Sequence, residues 1–576
     1  MTTDAPFTPP RKKPSILWWI GGAFMLLLLL FVFELFGPSP RIYVSPKTTF
    51  ITEPLTADGL PDYAKYALNL YRDGVTPENN AAALLWPAVW PGELSANQYA
   101  AVATELGLDQ IPAKADALVM IRKRIKDLQH EGFGAVRSDS GDNAANVQRD
   151  LQKSEDQLYE QVTEHPWTSK EIPPLAKWVH DNQKPLDQLV AGSLRTRCYF
   201  PSPSLLAPNP ESLASMLLPG IQAVREGGRS LRARAMWNLG EHRFDAAWQD
   251  LFAELRIGHL MTQDKTLVDQ LVGISISNDA CNGTAILLQE GHPSPAQARQ
   301  VMKDLASLES FSGVAESIDH MERATHLSLI LLLAQGKVDP KELKLMGLEN
   351  IAYSKYLAID WNVALENSND YFDRYAAAAR LPTYAARKQA MAHLDSDLNR
   401  IARGFGADSI VAAILSRSAR SANAAQILTA LLMPAFVNVL DAQDRQDTKL
   451  DLIRLAAALA VFRAEHGNYP AKLEELVPTV LEKLPADLYN AKPFLYKPIG
   501  GSFLLYSAGE NGIDDGGSNI VRHIFEGQEY DFDDESAPPL PQPIPASADD
   551  IAIRVPRLPT KMPSATTTPA PNERLE

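Results

Sequence analysis

Two stretches near the carboxyl end of the chain decide its fold: FRAEHGNYP at residues 462–470 and FLLYSAGENGIDDGG at residues 503–517. Apolar residues recur at helical spacing before the first stretch and stop at His466-Gly467-Asn468, which predicts a long helix ending there. The second stretch begins with a β-prone run, and a similar run at 494–496 precedes it across two glycines, which predicts an antiparallel hairpin. A long helix followed by a small sheet is an α+β module, which we place at residues 441–535.

The order of motifs in this module resembles the globular part of type II secretion major pseudopilins, which share the type IV pilin fold. The matching motifs are, in chain order, FRAEHGNYP, LEELVP, LPAD, PFLYK and FLLYSAGENGIDDGG. The resemblance implies that a calcium ion is bound by the loop that follows the β-prone run of the last motif. At matching positions it implies Asp514 and Asp515 as the calcium ligands, helped by carbonyl groups of the loop. The whole chain also resembles membrane-anchored bacterial envelope proteins to which no activity is assigned.

The loop SAGENGIDDGGSN (507–519) has two interpretations from its residues alone. Calcium takes six to eight oxygen ligands in flexible geometry, and adjacent carboxylates with glycine-permitted carbonyls can supply them. Asn-Gly and Asp-Gly pairs are also the residues that close hairpin turns without any metal. The spacing does not fit an EF-hand. The sequence therefore leaves calcium binding and a plain turn as alternatives.

The amino-terminal region differs from that of a pseudopilin. A pseudopilin begins with a short leader, a processing site and a hydrophobic helix that runs directly into the globular head. In this chain the apolar segment ends near Phe36, far before the module, and it lacks the processing signature. We therefore do not expect an ordinary pilus subunit.

Residues 16–33, ILWWIGGAFMLLLLLFVF, contain no charged side chain. Extended to Phe36, the segment has 21 residues, or about 31 Å of helix at ~1.5 Å per residue, enough to cross a bilayer core. The basic run Arg11-Lys12-Lys13 precedes it, and basic residues concentrate on the cytoplasmic side of such segments. We predict a transmembrane anchor at 16–36 in the bacterial cytoplasmic membrane, with a cytoplasmic tail at 1–15 and the bulk of the chain outside.

Two other interpretations of the apolar segment remain open, a cleaved signal peptide and a buried core helix. A signal peptide has an apolar region of about 7–15 residues and a small-residue cleavage site. This run is longer, and Gly37-Pro38-Ser39-Pro40 is a poor cleavage site. These observations favour an uncleaved anchor.

The remaining chain divides by composition into three parts. Residues 37–60 predict an extended stalk, and residues 61–440 predict a large α-helical region with flexible breaks near 138–146 and 199–210. The last segment, 536–576, contains ten prolines among 41 residues. Such a composition cannot bury enough apolar surface to offset chain entropy, so we predict a disordered tail. The fold class is therefore mostly α, with one small α+β module.

Residues 228–256 predict two helices that pack closely through small residues. The pattern Leu239-Gly240, Ala246 and Phe252-Ala253 is also typical of part of a tetratricopeptide unit. A true array would repeat every 34 residues, and no second copy follows. A generic helical hairpin and a divergent repeat both remain open.

Composition excludes several classes of protein. The chain has 55 Lys and Arg against 70 Asp and Glu, a net charge of −15 that repels phosphate backbones, so nucleic acid is not expected as a partner. With Cys198 and Cys281 as the only cysteines, a disulfide framework or cysteine-rich metal site is excluded, and whether the two pair stays open.

The sequence shows no motif that carries catalysis. It contains neither a G-x-S-x-G nucleophile elbow nor a glycine-rich nucleotide loop. In the segment HMERATH, the six-residue spacing of His320 and His326 puts the imidazoles on different helix faces, unlike a zinc-binding HExxH motif. We expect a non-catalytic envelope protein that binds envelope protein partners or serves as a scaffold. The alternatives are an accessory part of a secretion or pilus machine, and an envelope hydrolase whose site is assembled from distant residues.

Overall fold

The computed structural model confirms a mostly α-helical protein, with 64% of the chain in helices and 5% in strands. The structure describes residues 16–90, 92, 94–109, 114–131, 133, 144–207, 213, 219–263, 266–311, 313–338, 341, 358–403, 412, 415–430, 433–499, 501–517, 520–522, 529–531 and 549–555.

The described helices follow one another along the chain in two groups. The first group is α1 (Ile16–Phe36), α2 (Tyr63–Arg72), α3 (Ala82–Val89), α4 (Ala96–Glu105), α5 (Ile121–His130), α6 (Ala144–Glu164), α7 (Pro173–Asp181), α8 (Gln183–Ser193) and α9 (Pro219–Gly240). The second group is α10 (Phe244–Met261), α11 (Leu267–Glu290), α12 (Pro295–Ala306), α13 (Val314–Ser317), α14 (Arg323–Ala334), α15 (Trp361–Ala379), α16 (Tyr384–Arg403), α17 (Arg417–Ala430) and α18 (Met433–His466). A π-helical turn, Ile318–Glu322, joins α13 to α14.

The amino-terminal helix α1 is apolar and lies outside the protein core. Two helices are long and apolar enough to cross a membrane among the residues described, and they differ in burial. The window Trp19–Phe36 is 0% buried, whereas Leu267–Glu290 is 67% buried and is a core helix. The predicted apolar helix at 16–36 is therefore confirmed as an element, with the length and composition of a membrane span or a signal sequence.

One hydrophobic core joins the helical region to the carboxyl-terminal module. Leu251 of α10, Ile276 of α11, Ile453 of α18 and Leu505 of the sheet all belong to it and are at most 1% exposed. The predicted boundary between residues 440 and 441 lies inside α18, a single helix of 34 residues. Apolar residues cover more than one face of this helix, so it is buried by α11 and α12 as well as by the sheet. The module is thus not an independent domain.

The sheet of the module has three antiparallel strands in the order β1-β2-β5. The strands are β1 (Leu495–Ile499), β2 (Ser502–Ser507) and β5 (Ile551–Val555), and a separate hairpin is formed by β3 (Ile520–Arg522) and β4 (Glu529–Asp531). Leu505 in the central strand pairs with Tyr496 on one side and Ile553 on the other. The predicted hairpin is confirmed.

Strand β5 corrects the prediction that residues 536–576 form a disordered tail. Residues 549–555 lie within that segment, yet they reach back to complete the sheet. The run IAIRV alternates apolar and polar residues, which suits a strand with one buried face, and Ile553 is buried in the main core. Residues 532–548 and 556–576 lie outside the described residues.

The segment predicted as an extended stalk, 37–60, instead packs along α15. Asn362 donates from Nδ2 to the carbonyl of Arg41 at 3.0 Å, and its Oδ1 accepts from the Tyr43 N–H at 2.8 Å. Two helical turns further on, Asn369 donates to the carbonyls of Lys47 (3.0 Å) and Thr48 (2.8 Å). Two asparagines seven residues apart lie on one helix face, so they hold an irregular segment whose own carbonyls would otherwise lack partners.

Parts of both predicted flexible breaks also belong to the folded structure. In the second break, 199–210, Tyr199 is buried and stacks on Tyr71 with ring centroids 5.6 Å apart, so its first part is anchored to the core. In the first break, 138–146, residues 144–146 begin α6, and the rest lies outside the described residues. Cys198 and Cys281 are both buried and are not joined by a disulfide bond.

Candidate cation site in the C-terminal module

The loop that follows β2 is fixed at its start by a buried carboxylate. Asp487 accepts a hydrogen bond from the Ser507 hydroxyl at 2.8 Å and one from the Ala508 N–H at 3.3 Å. Asp487 is buried, and it also accepts from the Tyr489 N–H at 3.1 Å. These bonds tie the end of β2 to the preceding connection, so the loop leaves the sheet in a defined direction.

Asp514, the first predicted calcium ligand, organises the turn. Its Oδ1 accepts from the Tyr506 hydroxyl at 2.8 Å and from the Gly516 N–H at 3.0 Å. Partial burial acts to raise the pKa of Asp514, but the two hydrogen bonds and Lys497 outweigh it and lower the pKa. The carboxylate is therefore held ionised by donors of the chain itself.

Asp515, the second predicted ligand, lies in a group of three carboxylates with Asp549 and Asp550. One oxygen of each lies within 4.8 Å of the others. The pairing of Ser507 with Ile551 places the start of β5 beside the loop, which brings the two later aspartates to it. Sequence reasoning missed both, because they lie in the segment assigned to the tail. The signal was the pair Asp549-Asp550 directly before an alternating apolar run.

Backbone N–H groups hold this group of carboxylates in place. Asp550 Oδ2 accepts from the N–H groups of Asp515 (3.0 Å) and Gly517 (2.8 Å), and Asp549 Oδ2 accepts from the Asn511 N–H (3.0 Å). The Asn511 side chain donates to Asp515 Oδ2 at 3.0 Å. Among the described residues, Asp549 Oδ1 is buried without a hydrogen-bond donor. Its unmet acceptor capacity fits a cation at this position.

Burial raises the pKa of two of the three carboxyl groups, Asp549 and Asp550. Burial raises the pKa of Asp550 to about 7, and the neighbouring carboxylates of Asp515 and Asp514 act in the same direction. Burial also raises the pKa of Asp549. A bound divalent cation would replace this mutual repulsion by attraction, and three carboxylates with loop carbonyls suit calcium, which takes six to eight oxygens. Asp515, Asp549 and Asp550 are thus the residues that could hold calcium.

Gly509 is required where the loop passes Asp549. Its φ is +61°, and a Cβ at this position would overlap the carbonyl oxygen and Oδ1 of Asp549. Gly512 has a similar φ of +70°, but a Cβ there would have no neighbour within 4 Å. A comparison of substitutions at these two glycines therefore separates the cost of backbone strain from the cost of steric contact with the candidate site.

We expect Gly509→Ala to lower the free energy of unfolding by about 1–3 kcal/mol more than Gly512→Ala does, since overpacking against a fixed backbone costs about that much. Both substitutions carry a similar penalty for positive φ, about 1–2 kcal/mol. Urea denaturation of the two variants and the wild type measures the difference. Equal destabilisation would show that Asp549 does not lie against this loop.

A second group of acidic side chains is less suited to a cation. Glu316, Asp319 and His320 lie together at the π-helical turn. Arg380 already pairs with Glu316 (2.9 Å) and Asp319 (2.6 Å), and Arg323 pairs with Asp319 (2.6 Å). The guanidinium groups neutralise the carboxylates, so this group stabilises helix packing. His326, the other histidine of HMERATH, contacts Ser368 in the core.

The carboxyl-terminal end of α1 is bonded to α17. Arg417 donates from Nη2 to the Phe33 carbonyl at 2.7 Å and from Nη1 to the Pro38 carbonyl at 3.0 Å, and its N–H reaches Glu34 Oε1 at 3.0 Å. Arg420 donates to the Glu34 carbonyl.

Arg420 satisfies the Glu34 carbonyl, which has no N–H partner in the helix because residue 38 is proline, and the positive charge of both arginines suits the negative end of the helix dipole. The apolar helix is thus fixed to the body at its base.

Comparison of the chain with protein-family models, with curated proteins and with solved structures gives no match.

Proposed function

We propose that the protein is a single-pass, membrane-anchored scaffold of the bacterial cell envelope that binds partner proteins and performs no catalysis. Helix α1 would span the cytoplasmic membrane with residues 1–15 in the cytoplasm, since basic residues 11–13 lie at its amino-terminal end. The helical body and the C-terminal module would lie on the outer side.

The bonding of α1 to α17 is the observation that carries this proposal. A signal peptide is removed after export and has no need of contacts with the mature protein. Here Arg417 and Arg420 bind the last carbonyls of the apolar helix, and a cut after it would leave both arginines without these partners. The contacts support an uncleaved anchor. They also support a body held at a fixed orientation to the membrane, as a scaffold requires.

The C-terminal module supports the role of a docking element. Its motifs resemble those of pseudopilins, and a long helix, a small antiparallel sheet and a group of carboxylates follow one another in the expected order. We assign calcium to Asp515, Asp549 and Asp550, where it would lock the loop to β5 and stabilise the surface of the module. An accessory role in a secretion or pilus machine is the narrower form of this proposal.

Cysteine labelling in cells tests the topology, because both native cysteines are buried and give a low background. We expect Lys177→Cys, at a side chain that is 74% exposed, to react with a membrane-impermeant maleimide once the outer membrane is opened. Thr3→Cys should react only after lysis. The wild type is the control. A labelled protein that is shorter at its amino terminus and soluble after carbonate extraction would contradict the anchor.

Affinity capture from detergent-solubilised membranes tests the scaffold role. After chemical cross-linking in cells, the tagged full-length chain should retain other envelope proteins at reproducible stoichiometry. Recovery of pilin-like subunits would favour the narrower form. Recovery of this chain alone would count against partner binding.

A further inference from the structure

A cleft of about 290 Å³ lies between the α7–α8 pair and the α9–α10 hairpin, remote in sequence from the candidate cation site. Its volume is just below the ~300–1,000 Å³ typical of small-molecule sites. Both charged and uncharged polar side chains line it, among them His180, Gln183 and Gln249. The cleft therefore has room for a ligand of a few heavy atoms with several polar groups.

Arg234 lines the cleft and holds a carboxylate of the lining, that of Asp187. It is buried and binds Asp250 through Nη2 (2.6 Å) and Nε (3.0 Å). Its remaining Nη1 holds Asp187 Oδ1 at 2.6 Å. Asp250 is buried and also accepts from Asn238 at 3.1 Å, so it serves to fix the arginine. Asp187 is different, because its side chain is 57% exposed and can accept from a ligand.

Arg243 supplies a second positive charge in the lining. Its Cζ lies 4.0 Å from the centroid of the Trp237 ring, so the guanidinium stacks on the indole. Trp237 is itself fixed by its N–H bond to Ser169 Oγ at 3.0 Å. Arg243 makes no salt bridge within the described part of the chain. A stacked guanidinium keeps its N–H edge in one plane, the geometry that binds a carboxylate with two hydrogen bonds.

Asp187 and Arg243 offer opposite charges in the lining of one cleft. Arg234 binds Asp187, and Trp237 carries the stacked Arg243. Arg234 and Trp237 are three positions apart on α9, or ~4.5 Å of helix rise. One or two residues of extended peptide, at ~3.3–3.6 Å each, span a similar distance. Two arginines and two aspartates give the lining no formal net charge, which suits a ligand with one charge of each sign.

We propose that this cleft binds a small zwitterion, a free α-amino acid or a dipeptide, with its carboxylate on Arg243 and its ammonium group on Asp187. Gln183 and Gln249 line the same cleft and offer amide groups to the backbone of the ligand. A phosphate or other anion is disfavoured because it would face Asp187. This inference goes beyond the scaffold function and does not depend on the anchor or on calcium.

Calorimetric titration of the detergent-solubilised full chain tests the proposal with four probes: L-alanine, L-alanyl-L-alanine, N-acetyl-L-alanine and L-alaninamide. At least one of the two zwitterions should bind. The acetylated probe lacks the ammonium group and the amide lacks the carboxylate, so each should bind at least about tenfold more weakly, as expected for loss of one charged hydrogen-bonded pair. Tighter binding of the dipeptide than of alanine would assign the ligand as a peptide.

Variants connect the binding to the named residues. Arg243→Gln and Asp187→Asn should each weaken zwitterion binding at least about tenfold. Lys177→Gln and Asp181→Asn remove the same charges from an exposed pair on α7 outside the cleft lining, and they should leave binding unchanged. If Asp187→Asn lowers the melting temperature, Arg243→Gln decides, since its exposed side chain contacts the indole face. Absence of binding, equal binding of all four probes, or wild-type affinity of Arg243→Gln would overturn the proposal.

Discussion

Calcium should raise the melting temperature of the detergent-solubilised chain by a few degrees, and Asp550→Asn should abolish the rise. A ligand at 100 times its Kd stabilises the folded state by about 2.7 kcal/mol. A gain of 1 kcal/mol shifts the melting temperature by about 2–4 °C in a protein of 150–250 residues, and by less in a longer chain. Because the module shares its core with the helical body, the shift should appear in the main transition.

The pH dependence of this effect has a defined sign. The pKa of Asp550 is raised to about 7 in the folded, calcium-free protein, against 3.8 in an unfolded chain. The folded state therefore binds a proton more tightly, and calcium-free stability is lost as the pH rises from about 4 to about 7. Calcium needs the ionised carboxylate, so its stabilising effect should be larger at pH 8 than at pH 6.

Two controls separate the cation site from the turn. Asp514→Asn should keep the calcium response, because this carboxylate is engaged by Tyr506 and Gly516 outside the group of three. Magnesium should stabilise less, since it demands octahedral geometry and keeps its waters. A calcium response lost in Asp514→Asn and kept in Asp550→Asn would reject the assignment in favour of the two adjacent loop residues. No response in any variant would leave the loop as a plain turn.

The sequence predicted elements whose signals are local. The apolar run at 16–33 and the β-prone runs around two glycines each lie within about twenty residues, and the structure contains the corresponding helix and hairpin. Asp515 was predicted as a calcium ligand for the same reason, because the loop carries its turn residues and carboxylates together. Local periodicity and turn chemistry suffice for such elements.

The elements that sequence reasoning missed depend on contacts between distant residues. Strand β5 is hidden in a segment whose average composition is that of a disordered tail, and its pairing with β2 cannot be read from either strand alone. The packing of residues 37–60 depends on Asn362 and Asn369, more than 300 residues away. Nothing in a polar, proline-containing stretch indicates which helix will supply donors to its carbonyls.

The core shared by the helical body and the C-terminal module was missed for a similar reason. A helix with one apolar face can be buried by a small sheet alone, as in an independent module. Helix α18 is apolar on several faces and requires burial on each. Its partner α11 is apolar enough to resemble a membrane span, although the structure places it at the centre of the helical body. Composition alone does not distinguish these environments, because burial depends on which elements pack around the helix.

Gly273→Ala should lower the free energy of unfolding by about 2 kcal/mol or more. Helices α10 and α11 cross with their backbones in contact, because a Cβ on Gly273 would lie 2.6 Å from the Gly258 carbonyl oxygen and 2.6 Å from Thr262 Cγ2. Overpacking of this kind costs about 1–3 kcal/mol, and a rigid helix backbone cannot yield as a side chain can. The higher helix propensity of alanine, worth up to about 1 kcal/mol, offsets only part of the cost.

Gly283→Ala, in the same helix, is the matched control. A Cβ there would meet Leu251 Cδ2 at 2.5 Å, the far end of a flexible side chain that can change rotamer. The propensity gain is the same, so this variant should lose less stability than Gly273→Ala. Urea denaturation followed by tryptophan fluorescence compares the two, and equal stability of the variants would refute close backbone contact at Gly273.

The double variant Gly258→Ala/Gly273→Ala tests whether the two glycines share one contact. A Cβ on Gly258 would lie 2.8 Å from the Gly273 carbonyl oxygen and would overlap the Ser277 hydroxyl, so either substitution forces the same two helices apart. Once the first methyl group has separated them, the second has room. We therefore expect the double variant to lose less stability than the sum of the single variants, with a coupling of about 0.5–3 kcal/mol. Additive losses would mean that each glycine faces a different neighbour.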